Sequence, residues 1–109
     1  MKPRMGMTHV ERQARSRLAK LIHGADWVRG TLILMRHTCG KPRCRCAAGA
    51  KHESWYLAYS DRGRRRMVYV PRDWLERVRG WVANWREAGE RMETVSRRQL
   101  EKLQRREAE

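Results

Sequence analysis

The three cysteines of this chain lie close together, in the segment HTCGKPRCRCAAGAKH that spans residues 37–52. Cys39, Cys44 and Cys46 form a C-x4-C-x-C pattern, and His37 and His52 bracket it. Thiolates and imidazole nitrogens are the ligands of tetrahedral structural zinc sites, and three cysteines with one histidine complete such a set. The segment therefore predicts a Zn²⁺ site held by Cys39, Cys44, Cys46 and His52.

The choice of His52 as the fourth ligand follows from its position at the far end of the segment, where a loop of ordinary length can close around the ion. His37 is a substitute, because residues two apart on a strand point to the same side and His37 lies two before Cys39. Two other interpretations stay open: reduced thiols without a metal, or redox-active thiols whose reactivity is raised by Lys41, Arg43 and Arg45. An iron–sulfur cluster would need another cysteine or an unusual ligand.

The elements that must position this loop are a strand before it and a hairpin after it. The β-branched and aliphatic run from Thr31 to Met35 predicts the first strand. Residues 55–60 and 65–70 flank the turn sequence DRGR and predict two antiparallel strands. On alternate positions Trp55, Leu57 and Tyr59 share one face of the sheet, and Tyr56 lies on the opposite face.

A helix is predicted on either side of this sheet. Thr8 and Glu11 form a capping box that begins a first helix, from about His9 to His23. Pro71 precedes a second helix, which Gly89 either ends or bends. Helical spacing predicts that apolar side chains of both helices are buried: Val10, Ala14, Leu18, Leu21 and Ile22 on the first; Trp74, Leu75, Val78, Trp81, Val82, Trp85, Ala88 and Met92 on the second.

These elements predict an α+β fold: a small three-stranded antiparallel sheet with a zinc-knuckle-like loop, an N-terminal helix and a long C-terminal helix. Residues 1–7 are expected to be a flexible basic tail, residues 8–89 a single zinc-stabilised domain, and residues 90–109 a charged C-terminal helix. The chain has 109 residues, enough for one small hydrophobic core.

Charge is the strongest indication of a partner. Lys and Arg number 26 against 12 Asp and Glu, which gives a formal net charge of +14. Such a surface attracts polyanions, because neutralised phosphates release their counterions. We expect nucleic acid as partner, DNA in preference to RNA, contacted through an Arg-rich hairpin. The candidate contacts are Arg12, Arg15, Lys20, Lys41, Arg43, Arg45, Tyr56, Arg62, Arg64, Arg65 and Arg66.

The segments CGKPRCRCAAGAKHESWYLAY, RRRMVYVP and WLERVRGWVANW resemble DUF6788, a family of short uncharacterised bacterial and archaeal proteins. The similarity extends over roughly residues 31–90. The matching positions are Cys39, Gly40, Lys41, Pro42, Cys44, Cys46, Ala47, His52, Tyr56 and Leu57. Where the family has Gly-Pro after the histidine, this chain has Glu53 and Ser54. The resemblance implies little about activity, and an association with mobile DNA elements is what we expect of it.

Other classes of function fit the sequence less well. It has no Gly-rich phosphate loop, serine elbow or acidic magnesium cluster, so we expect a binding protein and not an enzyme. No apolar run is long enough for a membrane span and no signal peptide is visible, which predicts a cytoplasmic protein without a membrane partner. Three alternatives remain: hairpin arginines that only protect a sheet edge, RNA binding, and a homodimer or larger assembly formed through residues 90–109.

Overall fold

The structure is a computed structural model that describes residues 8–37 and 52–106. It confirms the predicted α+β fold, with a three-stranded antiparallel sheet between an N-terminal and a long C-terminal helix in the chain order. The predicted metal loop and the tail of residues 1–7 lie outside the described residues. The elements are α1 (His9–Gly24), β1 (Thr31–His37), β2 (His52–Asp61), β3 (Arg64–Val70), a 3₁₀ turn (Arg72–Trp74) and α2 (Leu75–Arg105).

Helix α1 begins where the capping box predicts. Thr8 adopts an extended backbone conformation, and its hydroxyl accepts a hydrogen bond from the Glu11 amide at 3.1 Å. The predicted apolar stripe is only partly correct, because Ala14 and Leu21 are buried whereas Val10 and Ile22 are exposed. Glu11 is buried instead, and its Oε2 accepts from Arg15 Nε at 3.1 Å. The ion pair compensates for the burial of Oε2 only, because Glu11 Oε1 is buried without a hydrogen-bond partner among the described residues.

The chain divides into two compact units. One comprises the described residues of 1–27 and 83–109, and therefore holds α1 and most of α2. The other spans Val28–Val82 and holds the sheet, the 3₁₀ turn and the beginning of α2. We call the first the helical unit and the second the sheet unit. Helix α2 continues through Gly80 and Gly89 to Arg105, so Gly89 does not end it.

The sheet has the order β1-β2-β3, and both neighbouring pairs are antiparallel. The last register pair of the β2–β3 hairpin joins Asp61 to Arg64, which leaves Arg62 and Gly63 as a two-residue turn. Both turn residues have positive φ, 50° and 82°, the requirement of a type I′ turn. This turn matches the right-handed twist of the flanking strands, and it confirms the hairpin predicted at DRGR.

The core of the sheet unit lies between one face of the sheet and the first turns of α2. Leu57 and Val70 from the sheet and Val78 and Val82 from the helix are buried together. Partly buried side chains surround them: Val28, Leu32, Trp55, Leu75 and Trp81. The prediction that Trp55 and Leu57 share one face of the sheet is thus confirmed, and this face covers the core.

Gly30 brings β1 into close contact with this core. Its φ is 131°, and a Cβ at this position would lie 2.6 Å from the Ala58 carbonyl oxygen. A larger residue would have to displace the β2 backbone, so the approach of β1 to β2 at this end depends on glycine.

Two of the three tryptophans predicted for the core are not buried in it. Trp81 packs against the core, but Trp74 and Trp85 are 42% and 44% exposed. Trp74 lies in the 3₁₀ turn, where its ring contacts Trp81 edge to face at 6.1 Å and the Arg77 guanidinium at 4.4 Å. Helical spacing predicted too wide a buried face for α2, because Val78 and Val82 are the side chains of this helix that are buried against the sheet. Exposure of Met92 also contradicts the prediction.

Neither of the two helices described between residues 8 and 106 is long and apolar enough to cross a bilayer.

Candidate functional site

The sheet has a second face, which points away from the core and which we call the outer face. Side chains alternate along a strand and register partners share a face, so the register assigns these residues without ambiguity. Tyr69 is 56% exposed, and Met35 and Met67 are 41% exposed, so this face is accessible to solvent. The outer face comprises Thr31, Ile33, Met35 and His37 of β1; His52, Ser54, Tyr56, Ala58 and Ser60 of β2; and Arg65, Met67 and Tyr69 of β3.

Two tyrosines lie side by side in the middle of the outer face. Tyr56 on the central strand is the register partner of Tyr69 on β3 and of Ile33 on β1. The tyrosine ring centroids are 5.8 Å apart and the ring planes are inclined by 69°. In this edge-to-face arrangement the rings support each other, as aromatic pairs prefer. The expectation that Tyr56 lies opposite the Trp55 face is confirmed.

Tyr59 has a different environment from these two. Tyr59 lies on the same face of the sheet as Trp55 and Leu57. The Arg29 guanidinium lies over its ring, 5.5 Å from the centroid. The third tyrosine is thus already in contact with a cation on the other side of the sheet.

The hairpin arginines form the basic end of the sheet. Arg62 occupies the turn, and Arg65 lies on the outer face. Arg64 and Arg66 lie on the same side of the sheet as the core but are not part of it. All four side chains are exposed. In the described part of the chain, no carboxylate lies within ion-pair distance of any of them. Their positive charges therefore act on whatever approaches the hairpin.

The outer face carries no carboxylate among the described residues. The acidic residues of β2 are Glu53 and Asp61, near the two ends of the strand. Both lie on the core side of the sheet. Glu53 pairs with Arg36 of β1 at 3.1 Å, and both belong to that other side. Both carboxylates of β2 therefore lie on the core side of the sheet, together with Arg36, Arg64 and Arg66.

His37 and His52 lie at the end of the outer face that adjoins the predicted metal loop. They are register partners, and their ring centroids are 5.9 Å apart. His37 Nε2 lies 3.3 Å from Ser54 Oγ, within hydrogen-bonding distance. The strand pairing therefore brings the two ends of segment 37–52 together.

The remaining predicted zinc ligands, Cys39, Cys44 and Cys46, lie outside the described residues, as do Lys41, Arg43 and Arg45. Within residues 8–37 and 52–106, no three His, Cys, Asp or Glu side chains form a metal-binding group. The zinc site therefore stays a prediction, and the strand pairing shows only where the two histidines lie.

The basic candidates on α1 belong to the helical unit, and one of them is already ion-paired. Arg15 contacts Glu11 at 3.1 Å, so part of its charge is balanced within the helix. Lys20 is exposed beside a shallow pocket that Gln13, Ser16, Arg17 and Arg91 also line. Arg12 is exposed too. Arg15 thus differs from the hairpin arginines in having a carboxylate within ion-pair distance.

Arg17 and Glu87 form the best-aligned ion pair of the helical unit. Arg17 Nε and Nη2 donate to the two oxygens of Glu87 at 2.6 and 2.9 Å, and Arg91 adds a longer contact at 3.4 Å. The hydrogen bond from Arg17, with the attraction of both guanidinium groups, lowers the pKa of Glu87 to about 2. A forked contact of this kind ties α1 to α2.

Three residues of the outer face, Tyr69, Met67 and Met35, were not predicted as site residues. A signal was present, because a two-residue turn makes residues 56 and 69 register partners, so Tyr69 must share the face of Tyr56. Met67 and Met35 then follow by alternation.

Comparison with curated proteins and comparison with solved structures give no match to this chain. A family model does match, over residues 8–80, which is more than half of the chain. The match begins at α1 and ends within α2, whereas the sequence resemblance was placed at residues 31–90. It thus includes the first helix as well as the sheet. The chain belongs to the family described as a domain of unknown function, DUF6788.

Proposed function

We propose that this protein binds DNA through the arginines of the β2–β3 hairpin, and that a zinc ion held by the loop before β2 stabilises it. The observation that carries the proposal is the exposure of Arg62, Arg64, Arg65 and Arg66 without a described carboxylate in ion-pair range. A guanidinium in this state can donate two parallel hydrogen bonds to a phosphate or to a guanine edge.

The arginines of the helices differ from those of the hairpin, and this difference supports the proposal. Arg15, Arg17, Arg91 and Arg97 each contact a glutamate within 3.5 Å, and Arg77 lies over a tryptophan ring. The net charge of +14 is therefore not spread evenly, since many helical arginines are balanced locally. The hairpin concentrates the charge that is available to a polyanion.

The shape of the hairpin suits the proposed partner. A two-stranded antiparallel ribbon fits the B-DNA major groove, which is ~12 Å wide. Its tight turn places the arginines at the leading end. Phosphate contacts of this kind fix position without reading sequence, so we expect sequence-tolerant or modestly specific binding.

The proposed zinc site has a structural role. Cys39, Cys44, Cys46 and His52 would supply the ligands, and His37 is the substitute for His52. The 5.9 Å separation of the histidine rings fits a closed loop whose two ends meet at the ion. Zinc bound there contributes its binding free energy to folding, which helps a domain with few fully buried side chains.

The proposal also includes the cellular location and the biological context of the protein. A DNA-binding protein with reduced thiols belongs in the cytoplasm, and a link to mobile DNA elements is part of the proposal. We propose no catalytic activity.

Titration of duplex binding with salt tests the function. Fluorescence anisotropy of a labelled 20-base-pair duplex, read from 50 to 400 mM NaCl, should give a steep negative slope of log K against log salt concentration. Each neutralised phosphate contributes about −0.9 to that slope. A slope near zero, or no binding at 50 mM, would refute the proposal. The same titration with structured RNA distinguishes the RNA-binding alternative by a higher affinity for RNA.

A second candidate function is assembly through the end of α2. Met92, Leu100 and Leu103 are 58%, 52% and 72% exposed, which is unusual for three apolar side chains of one helix. Multi-angle light scattering of the full chain and of a chain ending at residue 89 separates the two functions. A dimer that becomes a monomer on truncation favours assembly, whereas a monomer in both cases removes self-pairing.

A further inference from the structure

The tyrosines of the outer face present aromatic surface that the protein's own fold does not use. Tyr69 is 56% exposed, and its contact with Tyr56 is edge to face, so the two rings do not stack flat on each other. The core lies on the other side of the sheet. A ring exposed to this extent offers its π-face to a planar ligand.

The surroundings of the two rings define the charge of that ligand. Arg65 lies on the same face, four residues before Tyr69 on β3, which corresponds to about 13 Å along the strand. The outer face has no carboxylate among the described residues. A ligand that lies along the face from Tyr69 to Arg65 would therefore meet aromatic surface first and positive charge next, without local repulsion of a phosphate.

Planar groups joined by phosphates are the chemistry of a nucleic-acid strand. In a duplex each base already stacks on its neighbours, so only base edges and phosphates are accessible. An unpaired strand exposes the faces of its bases, and aromatic side chains on a sheet stack on them without regard to sequence. The hairpin arginines contact phosphates in either form of DNA, but the tyrosine pair distinguishes the two.

We propose that the outer face is a binding site for single-stranded DNA, where Tyr56 and Tyr69 stack on unpaired bases and Arg65 contacts the backbone. This inference rests on the proposed DNA binding and names its substrate class. Met35, Met67 and Ile33 provide apolar surface beside the rings, which suits the edges of stacked bases.

The test compares two forms of DNA with four variants of the full-length protein, of which Tyr56→Leu should behave as Tyr69→Leu does. Anisotropy is measured with a labelled 12-nucleotide oligothymidine and with a 12-base-pair duplex at the same salt concentration. Tyr69→Leu should raise the Kd for the single strand roughly tenfold and leave the Kd for the duplex within about twofold, since stacking contributes only where bases are unpaired. Tyr69→Phe should keep the wild-type affinity, because it keeps the ring. Val68→Leu, on the opposite face of the same strand and 49% exposed, is the matched control and should bind as wild type.

A crosslinking experiment gives a readout that does not depend on affinity. An oligothymidine with one 5-iododeoxyuridine, irradiated in the complex, should form an adduct with Tyr56 or Tyr69, identified by peptide mass spectrometry. Adducts confined to residues outside the outer face would overturn the proposal.

The outcomes also separate this inference from the function on which it rests. Salt-sensitive DNA binding that Tyr69→Leu and Tyr56→Leu leave unchanged, or weaken equally for both forms, overturns the outer-face site and leaves hairpin binding intact. Failure of the wild-type protein to bind either form of DNA overturns both. A tenfold, tyrosine-dependent preference for oligouridine over oligothymidine assigns the face to RNA and overturns the choice of DNA.

Discussion

His37 and His52 are opposite each other in the register of β1 and β2, with ring centroids 5.9 Å apart. The pairing places both imidazoles at the two ends of the cysteine segment and on the outer face of the sheet. A single ion held by the segment would therefore lie at the edge of the strand pair and connect the first strand to the hairpin.

The first prediction concerns this ion. The purified protein should contain one zinc per chain, and chelation should lower its Tm. For a domain of this size, a loss of ~2 kcal/mol or more corresponds to a decrease of roughly 8–16 °C. His52→Ala should reduce both the zinc content and the Tm, because it removes the predicted fourth ligand. Elemental analysis and differential scanning calorimetry measure the two quantities.

The matched control for the zinc prediction is His9→Ala, an exposed histidine at the beginning of α1. It should leave the zinc content unchanged. Zinc that is absent from His37→Ala but kept by His52→Ala would reverse the choice of ligand. An unchanged melting curve after chelation would contradict the zinc site altogether.

The second prediction concerns the hairpin. Arg64→Gln combined with Arg66→Gln should weaken duplex binding and make the salt slope shallower by about 0.9 for each phosphate that the variant no longer neutralises. Neither side chain pairs with a described carboxylate, so the double variant should not change the Tm appreciably.

Arg86→Gln combined with Arg97→Gln is the control for the hairpin, since it removes the same two positive charges from exposed positions on α2. Its salt slope should equal that of the wild type. Equal effects of the hairpin and the α2 substitutions would show that net charge alone governs binding.

The third prediction concerns the approach of β1 to β2. Gly30→Ala should lower the free energy of unfolding by about 2 kcal/mol or more, because φ is 131° and the new Cβ would lie 2.6 Å from the Ala58 carbonyl oxygen. Gly80→Ala is the counterpart: it lies inside α2 with open space around it, and should raise the free energy of unfolding by about 0.5–1 kcal/mol. Urea denaturation measures both, and a neutral Gly30→Ala would contradict the close packing described for β1.

The fourth prediction concerns pH. Because the pKa of Glu87 is lowered to about 2 from its ordinary value of 4.5, the Arg17 interaction stabilises the folded protein above the unfolded-state pKa and disappears as the pH falls towards 2. The difference in Tm between wild type and Glu87→Gln should be constant above about pH 5 and should shrink between pH 4.5 and 2.

Glu90→Gln is the control for the pH prediction, because Glu90 is exposed on the same helix and its side chain forms no ion pair with a described residue. Its Tm should equal that of the wild type throughout. A Tm difference for Glu87→Gln that does not change with pH would show that the ion pair is not the origin of the effect.

Local signals in the sequence predicted most of the fold. The capping box set the beginning of α1, the aliphatic run set β1, and the turn sequence with its glycine set the hairpin, because each of these depends on residues close in the chain. The buried faces of the helices were predicted less well. Helical spacing cannot show that Glu11 is buried through an ion pair with Arg15, or that Trp74 lies in a 3₁₀ turn before the helix begins. The Glu11–Arg15 pair is local, four residues apart on α1, but the burial of Glu11 depends on the residues that pack against that helix.

The candidate site, like the fold, was predicted only in part. Composition and clustering predicted the hairpin arginines as nucleic-acid contacts, and this stays a prediction. They could not show every arginine that has a carboxylate partner, because some of these pairs join residues remote in sequence. The partnership of Arg17 with Glu87 is an example, because 70 residues separate them. Tyr69 was missed for a smaller reason: the length of the turn had to be known before its face could be assigned.

That turn length has a consequence for how related sequences can diverge. Side chains alternate with a period of two, so inserting or deleting one residue between Asp61 and Arg64 would move Tyr69 to the core side and Val70 to the outer face. The identity of the residues at 62 and 63 can therefore change, within the limits of a positive φ, while a one-residue change in their number needs a compensating β-bulge. Members of the family that keep the tyrosine pair should keep a two-residue turn or contain such a bulge.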